Sequence, residues 1–142
     1  MTARGLAEGL GRVAGFLVAG AVVTGCSSGA ANGMNINVEA PRSVNGGLPM
    51  RMLVRNLDSA TFVAESYPAA AAKVVTPDPT VLKSEVVYPG VNLSVSVTKP
   101  EKGELGVYFF FTTPGPEWKV LLSAPFDKTV IIKLGADRIQ TP

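Results

Sequence analysis

Residues 91–98 alternate apolar and polar side chains without interruption, in the order Val91-Asn92-Leu93-Ser94-Val95-Ser96-Val97-Thr98. Successive side chains of a strand point to opposite faces, so this stretch has one apolar and one polar face. The same alternation occurs at residues 34–40 and 50–55. It predicts strands that bury one face in a core and expose the other, as in an antiparallel sheet.

Four further segments complete the predicted strands. Residues 105–112 are apolar on both faces and predict a central strand covered on both sides. Residues 118–122 and 129–134 alternate over shorter lengths, and a weaker strand is predicted at residues 84–88. Turns rich in proline and glycine separate these segments. Six or seven short strands at this spacing predict an all-β fold, a two-sheet β-sandwich.

One segment is typical of a helix instead. Residues 67–75 contain four consecutive alanines, with Pro68 near the start, where proline is tolerated. Pro77 and Pro79 end the segment. A helix of about two turns is unstable alone, so we expect a short helical insertion that packs on the sandwich or on a partner.

The composition argues against most catalytic and nucleic-acid-binding functions. The chain has no histidine, the commonest general base and metal ligand, and one cysteine, which cannot form an internal disulfide. The formal net charge is +2, and nucleic-acid binding needs a concentrated basic face. Four carboxylates are interpreted as solvated rather than catalytic or metal-binding, and Trp118 and the run Phe109-Phe110-Phe111 as packing residues. These carboxylates are Asp58, Glu65, Asp78 and Glu85.

The N-terminus has the organisation of an export signal. Arg4 and Arg12 give a positively charged start, and residues 13–23 form an uncharged, mostly apolar run. This run is shorter than the ~20 residues that a membrane-spanning helix needs. It ends in Val23-Thr24-Gly25-Cys26, which resembles the lipobox of bacterial lipoproteins. The alternative is an ordinary signal peptide followed by a buried free cysteine.

The lipobox resemblance implies the organisation of the whole chain. Residues 1–25 would be a lipoprotein signal peptide, residues 26–33 a lipidated flexible tether, and residues 34–142 the β-sandwich domain. Cys26 would carry a covalent diacylglycerol and an N-acyl chain, and we expect no other cofactor. Ser27 follows where an aspartate favours the inner membrane, so the resemblance implies a lipid-anchored protein on the periplasmic face of the outer membrane.

The features in order resemble the TssJ (SciN/VasD) family, the outer-membrane lipoproteins of the type VI secretion system. The resemblance starts at Cys26 and continues through the strand at residues 34–40. It then includes Leu48-Pro49 leading into residues 50–57, and four later motifs. These motifs are Phe62-Val63-Ala64-Glu65-Ser66-Tyr67, Tyr88-Pro89-Gly90, Leu105-Gly106-Val107-Tyr108-Phe109 and Glu117-Trp118-Lys119.

The family resemblance implies a transthyretin-like sandwich that is not an enzyme. Such a lipoprotein anchors the secretion membrane complex by binding the periplasmic C-terminal domain of the inner-membrane protein TssM, and we expect oligomers only within that complex. The implied contact is the loop between the first two strands, residues 41–49, with no metal or cofactor site. The partner-binding candidates are Arg42, Asn45, Gly46, Gly47 and Leu48, and the first four are expected to be exposed. A simple hairpin turn is the alternative interpretation of this loop.

Two other functions stay open on the sequence. An envelope lipoprotein could bind a small ligand or another envelope component in its sandwich, unrelated to secretion, and the aromatic residues 108–111 motivate this alternative. A hydrolase of unfamiliar type is the weaker possibility, and it would require a pocket with perturbed carboxylates.

Overall fold

The computed structural model describes residues 32–141, which form two four-stranded sheets and two short helices. The predicted β-sandwich with a helical insertion is confirmed. The strands are β1 Gly33–Glu39, β2 Met50–Leu57, β3 Val81–Val87, β4 Leu93–Thr98, β5 Glu104–Phe110, β6 Lys119–Leu122, β7 Thr129–Leu134 and β8 Ile139–Thr141, and the helices are α1 Ser59–Ala64 and α2 Tyr67–Val75. The prediction missed β8, which has only three residues, and α1.

The first sheet has the strand order β4-β1-β7-β8, with β1 antiparallel to β4 and parallel to β7. Met34, Ile36 and Val38 of β1 are buried, as the alternation predicts. On the outer face, Ser96 Oγ donates a hydrogen bond to Asn35 Oδ1 at 2.7 Å. One face of this sheet is therefore apolar core and the other is polar surface.

The second sheet has the order β3-β2-β5-β6 and is covered on both faces at its centre. This confirms the central strand predicted at residues 105–112: Phe109 is buried in the core between the sheets and Tyr108 is buried on the other side. The expectation that one face of residues 50–55 meets solvent is wrong, since Leu53 and Arg55 are buried. The reason is that the helices cover this outer face.

Both helices begin at side-chain caps. Asp58 accepts a hydrogen bond from the Thr61 backbone N–H at 2.8 Å and starts α1, and Ser66 caps α2. The helix α2 has the bounds that the sequence predicts, and it packs on the sandwich: Ala70 is buried, and Tyr67 Oη donates to the Phe111 carbonyl at 2.6 Å. The cap and the packing contacts supply the stability that a helix of two turns lacks in isolation.

A buried ion pair fastens the helices to the sheet. The Arg55 guanidinium, 3% exposed, donates through Nη1 to the Glu65 carboxylate at 2.6 Å and through Nε to Thr80 Oγ1 at 2.9 Å. Lys119 Nζ donates to the carbonyl oxygens of Phe62 and Glu65 at the end of α1. The interpretation of Glu65 as a solvated carboxylate is therefore wrong, because the unpredicted helix α1 carries it over Arg55.

The aromatic side chains under the helices form one packed group. Trp118 is partly buried and lies edge-on to Tyr67, with ring centroids 4.9 Å apart, and Phe62 and Phe110 flank Tyr108. Trp118 is thus a packing residue, as predicted. Burial raises the pKa of Tyr108 well above its usual value, so this phenol stays neutral.

We predict that Arg55→Met destabilises the fold by about 3–5 kcal/mol, because it leaves the Glu65 carboxylate buried without its partner. The matched control is Lys133→Met, since Lys133 forms a largely exposed pair with Glu39 at 3.9 Å and its loss costs less than about 1 kcal/mol. Urea-induced unfolding measures both. Equal, small losses in the two variants would contradict the role given to Arg55.

Candidate functional site

The candidate loop at residues 41–49 connects the two sheets. It follows β1 in the first sheet and precedes β2 in the second, so the hairpin-turn interpretation is wrong. Cys26, the predicted lipidation site, lies outside the described residues.

Strand register places the beginning and end of β1 at opposite poles of the sandwich. Gly33 pairs with Thr98, and the Lys99 backbone N–H donates to the Asn32 carbonyl at 2.6 Å. We call this end the tether pole. The seven residues of β1 extend for about 23 Å and lead directly into residues 41–49 at the other end, the loop pole. The loop pole also contains residues 88–92, 111–118 and 135–138.

Asn45 fixes the loop at residues 41–49 to its neighbours. Its backbone N–H donates to the Ala136 carbonyl at 2.8 Å, and its Oδ1 accepts from the Thr112 backbone N–H at 2.7 Å. Its Nδ2 donates to the carbonyl oxygens of Leu48 and Pro49, each at 3.2 Å. The expectation that Asn45 is exposed is wrong: it is 7% exposed, because its side-chain amide bonds to the backbone of two loops and its backbone N–H to that of a third.

Asn45 and the two glycines that follow it have a left-handed backbone conformation. The φ angles are 51° at Asn45, 64° at Gly46 and 81° at Gly47. Asparagine and glycine tolerate this region best, which explains the Asn-Gly-Gly sequence. Both glycines are exposed, as predicted. A Cβ at Gly46 would meet no atom within 4 Å, so the backbone angle alone requires glycine there.

Arg42 and Leu48 are the exposed charged and large apolar side chains of this loop, which also exposes Pro41, Ser43 and Pro49. Leu48 is 56% exposed, and Arg42 lies over Gly90 of the β3–β4 loop. A Cβ at Gly90 would lie 2.8 Å from Arg42 Cγ, and the Gly90 backbone N–H donates to the Ala40 carbonyl at 3.0 Å. Residues 88–92 therefore adjoin the candidate loop, a proximity that the sequence did not reveal because the two segments are far apart along the chain.

Nearby cations lower the pKa values of two carboxylates among the described residues. Asp78 has a lowered pKa, chiefly because Lys73 donates a hydrogen bond to it and secondly because Thr80 does. Asp137 has a lowered pKa because Arg138 donates to it. Both carboxylates serve as ion-pair partners. Residues 32–141 contain no group of histidine, cysteine or acidic residues that could hold a metal ion.

Over the same described range, none of the helices has the length and apolar character needed to cross a bilayer.

We predict that Asn45→Ala destabilises the fold by about 2–3 kcal/mol, because the Thr112 N–H and two carbonyl groups lose their partner and alanine disfavours a left-handed backbone. The control Asn37→Ala removes a single exposed hydrogen bond with Ser94 and should cost less than about 1 kcal/mol. Urea-induced unfolding measures the difference. Faster hydrogen exchange at the Thr112 amide should accompany it, and unchanged protection there would contradict the role of Asn45.

The comparisons with known proteins agree with this fold. A chain in a structure described as the T6SS protein TssM C-terminal domain from EAEC has a TM-score of 0.63 and 17% identity, covering 76% of this chain and 95% of that chain. Lip of Serratia marcescens, described as a membrane-bound component of the type VI secretion system, has a TM-score of 0.61 and 19% identity, covering 77% and 94%. The T6SS lipoprotein TssJ1 of Pseudomonas aeruginosa has 0.57 and 21%, covering 76% and 92%.

Sequence comparison identifies the family. No curated protein is significantly similar to this chain. The profile of the IglE N-terminal domain matches residues 51–134, from β2 to the end of β7. The predicted resemblance to the TssJ lipoproteins of type VI secretion is confirmed. With more than half of its residues matched, the chain belongs to the family of the IglE N-terminal domain.

Proposed function

We propose that the chain is an outer-membrane lipoprotein that anchors the type VI secretion membrane complex by binding the periplasmic domain of a TssM-like inner-membrane protein. The observation that carries this proposal is the position of the tether and the candidate loop at opposite poles of β1. A lipid at one pole turns the loops at the other pole toward the periplasm.

The anchor in this proposal is the lipid on Cys26, which lies six residues before the first described residue, Asn32. Residues 1–25 would be removed as the signal peptide, and residues 26–33 would connect the lipid to the domain at residues 34–142. Each buried CH₂ contributes about 0.8 kcal/mol, and stable anchoring takes more than one acyl chain. The diacylglycerol and the N-acyl group would supply these chains.

The dimensions of the domain suit a link that spans part of the periplasm. The seven residues 27–33 reach at most ~25 Å when extended. The sandwich adds about 23 Å along β1. The loop pole would then lie on the order of 50 Å from the membrane surface at full extension. A rigid domain at this distance can contact the periplasmic domain of a protein embedded in the inner membrane.

The likeness to secretion components supports a binding role without catalysis. Similar folds occur in a membrane-bound component of the secretion system and in a structure named for the TssM C-terminal domain. The proposed contact is the loop at residues 41–49, through the exposed Arg42, Gly46, Gly47 and Leu48, with Asn45 as the residue that holds it in shape.

The aromatic residues 108–111, which motivated the small-ligand alternative, are packed within the domain. Phe109 and Phe111 are fully packed between the sheets, and Tyr108 and Phe110 pack beneath the helices. The aromatic strand is therefore occupied by packing contacts within the domain. The carboxylates with perturbed pKa values are explained by structural neighbours, namely Lys73 for Asp78, Arg138 for Asp137 and the helix-capping contact with Thr61 for Asp58.

We predict that Cys26→Ser abolishes lipidation and removes the protein from the outer-membrane fraction, with loss of secretion. Ser27→Ala, which keeps the thiol, should leave all three unchanged, whereas Ser27→Asp should move the lipidated protein to the inner membrane. Acyl labelling, gradient fractionation and a secretion assay measure these results. A Cys26→Ser protein that still fractionates with the outer membrane and supports secretion would refute the anchor role.

A further inference from the structure

We propose that the docking surface for the periplasmic partner includes the β3–β4 loop as well as the β1–β2 loop. This docking face consists of Arg42, Leu48, Arg51, Tyr88 and Val91, and it fits a protein surface that combines apolar side chains with carboxylates. The proposal rests on the proposed function and names the partner's chemistry and the second loop that contacts it.

The two loops form one surface because they are joined directly. Arg42 packs over Gly90, whose φ of 75° and lack of a Cβ allow this close approach. Ala40 forms two hydrogen bonds to the second loop, since its carbonyl accepts from the Gly90 N–H and its N–H donates to Asn92 Oδ1 at 3.3 Å.

Strand pairing brings the apolar residues of the two loops together. Met50 and Val87 are directly paired in the second sheet. Leu48 lies two residues before Met50, and Tyr88 immediately follows Val87, so both emerge at the same edge of the loop pole.

The docking face has a concentration of exposed apolar side chains. Leu48, Tyr88 and Val91 are 56%, 55% and 56% exposed. The other large hydrophobic residues that are exposed in the described part of the chain are distributed over the helices and strands, at Val63, Val75, Leu82 and Ile131. Single exposed apolar residues are ordinary, but three on two adjoining loops form a patch. Tyrosine is one of the residue types that most often contribute the largest share of the binding energy at an interface.

The charge of the docking face is positive and unbalanced. Arg42 and Arg51 are exposed, and neither has a carboxylate within ion-pair distance among residues 32–141. Elsewhere at the loop pole, Arg138 lies close to Asp137 and Glu117. Free guanidinium groups beside apolar anchors favour a partner that supplies carboxylates.

Two other occupants fit the docking face less well. A second copy of the chain in a symmetric contact would bring two positively charged faces together, and like charges at an interface are unfavourable. The anchoring membrane would lie at the tether pole, about 23 Å away along β1. A periplasmic protein with an acidic, partly apolar surface is therefore the occupant that we propose.

The test uses the full-length lipoprotein purified in detergent and the purified periplasmic C-terminal domain of the TssM-like protein from the same organism. Calorimetry or biolayer interferometry gives Kd for the wild type and for Leu48→Ser, Tyr88→Ser and Val91→Ser. Val63→Ser and Ile131→Ser are matched controls, since they remove exposed apolar side chains from other faces. Circular dichroism melts confirm that each variant is folded.

We expect Tyr88→Ser and Leu48→Ser each to weaken binding about tenfold or more, Val91→Ser to weaken it less, and both controls to stay within about twofold of the wild type. Arg51→Ala should weaken binding and reduce its dependence on salt, whereas Lys83→Ala, which removes an exposed cation from β3, should change neither.

The outcomes separate this inference from the proposed function. If Leu48→Ser weakens binding while Tyr88→Ser and Val91→Ser do not, the β1–β2 loop acts alone and the inference is overturned, but the proposed function stands. If the wild type does not bind the domain, the proposed function fails and the inference with it. A wild-type dimer in sedimentation that Tyr88→Ser dissociates would identify the face as a self-contact and would also overturn the inference.

Discussion

Hydrogen bonds on both edges fix the direction of strand β1, which lies between β4 and β7 in the first sheet. The chain enters this strand at the tether pole and leaves it at the loop pole. Because the proposed tether precedes β1 and the loop at residues 41–49 follows it, the two are attached at opposite ends of this strand. Neither end can move toward the other unless β1 separates from two neighbours. A transmitted pull between two membranes would therefore pass along a central strand that is paired on both sides.

The loop pole is ordered by polar contacts as well as by apolar packing, since Val44 of the β1–β2 loop is buried in the core. Asn45 joins the β1–β2 loop to the backbone at Thr112 and Ala136, and Arg42 packs on Gly90. The surface is thus preorganised, which lowers the entropy lost when a partner binds. On the side of the domain, the Arg55–Glu65 pair holds the helices to the second sheet. The helices therefore cover the outer face of this sheet at its centre, while the core covers the inner face.

The sequence predicted what depends on local pattern and missed what depends on contacts between distant segments. Alternation located five strands, the doubly apolar run at residues 105–112 located β5, and a weaker signal at residues 84–88 overlapped β3. The alanine run with Pro68 predicted the bounds of α2. Helix α1 was missed because its six residues show no helical period, and Glu65 was misread as solvated in consequence. Asn45 was expected to be exposed because a loop asparagine is usually solvated, and only the distant partners Thr112 and Ala136 explain its burial. The part played by residues 88–92 follows from the Met50–Val87 pairing, which sequence spacing does not reveal.

The family match begins at residue 51, so the candidate loop at residues 41–49 lies just before the matched residues, and its role rests on its position in the fold. In the proposed arrangement, the lipid and the partner occupy opposite poles of the domain. Hydrogen–deuterium exchange on the full-length protein in detergent, with and without the TssM-like domain, tests it most directly. We expect the TssM-like domain to bring new protection at residues 41–49 and 88–92, and none at the tether-pole residues 99–103 and 123–128. Protection confined to the tether pole would contradict it.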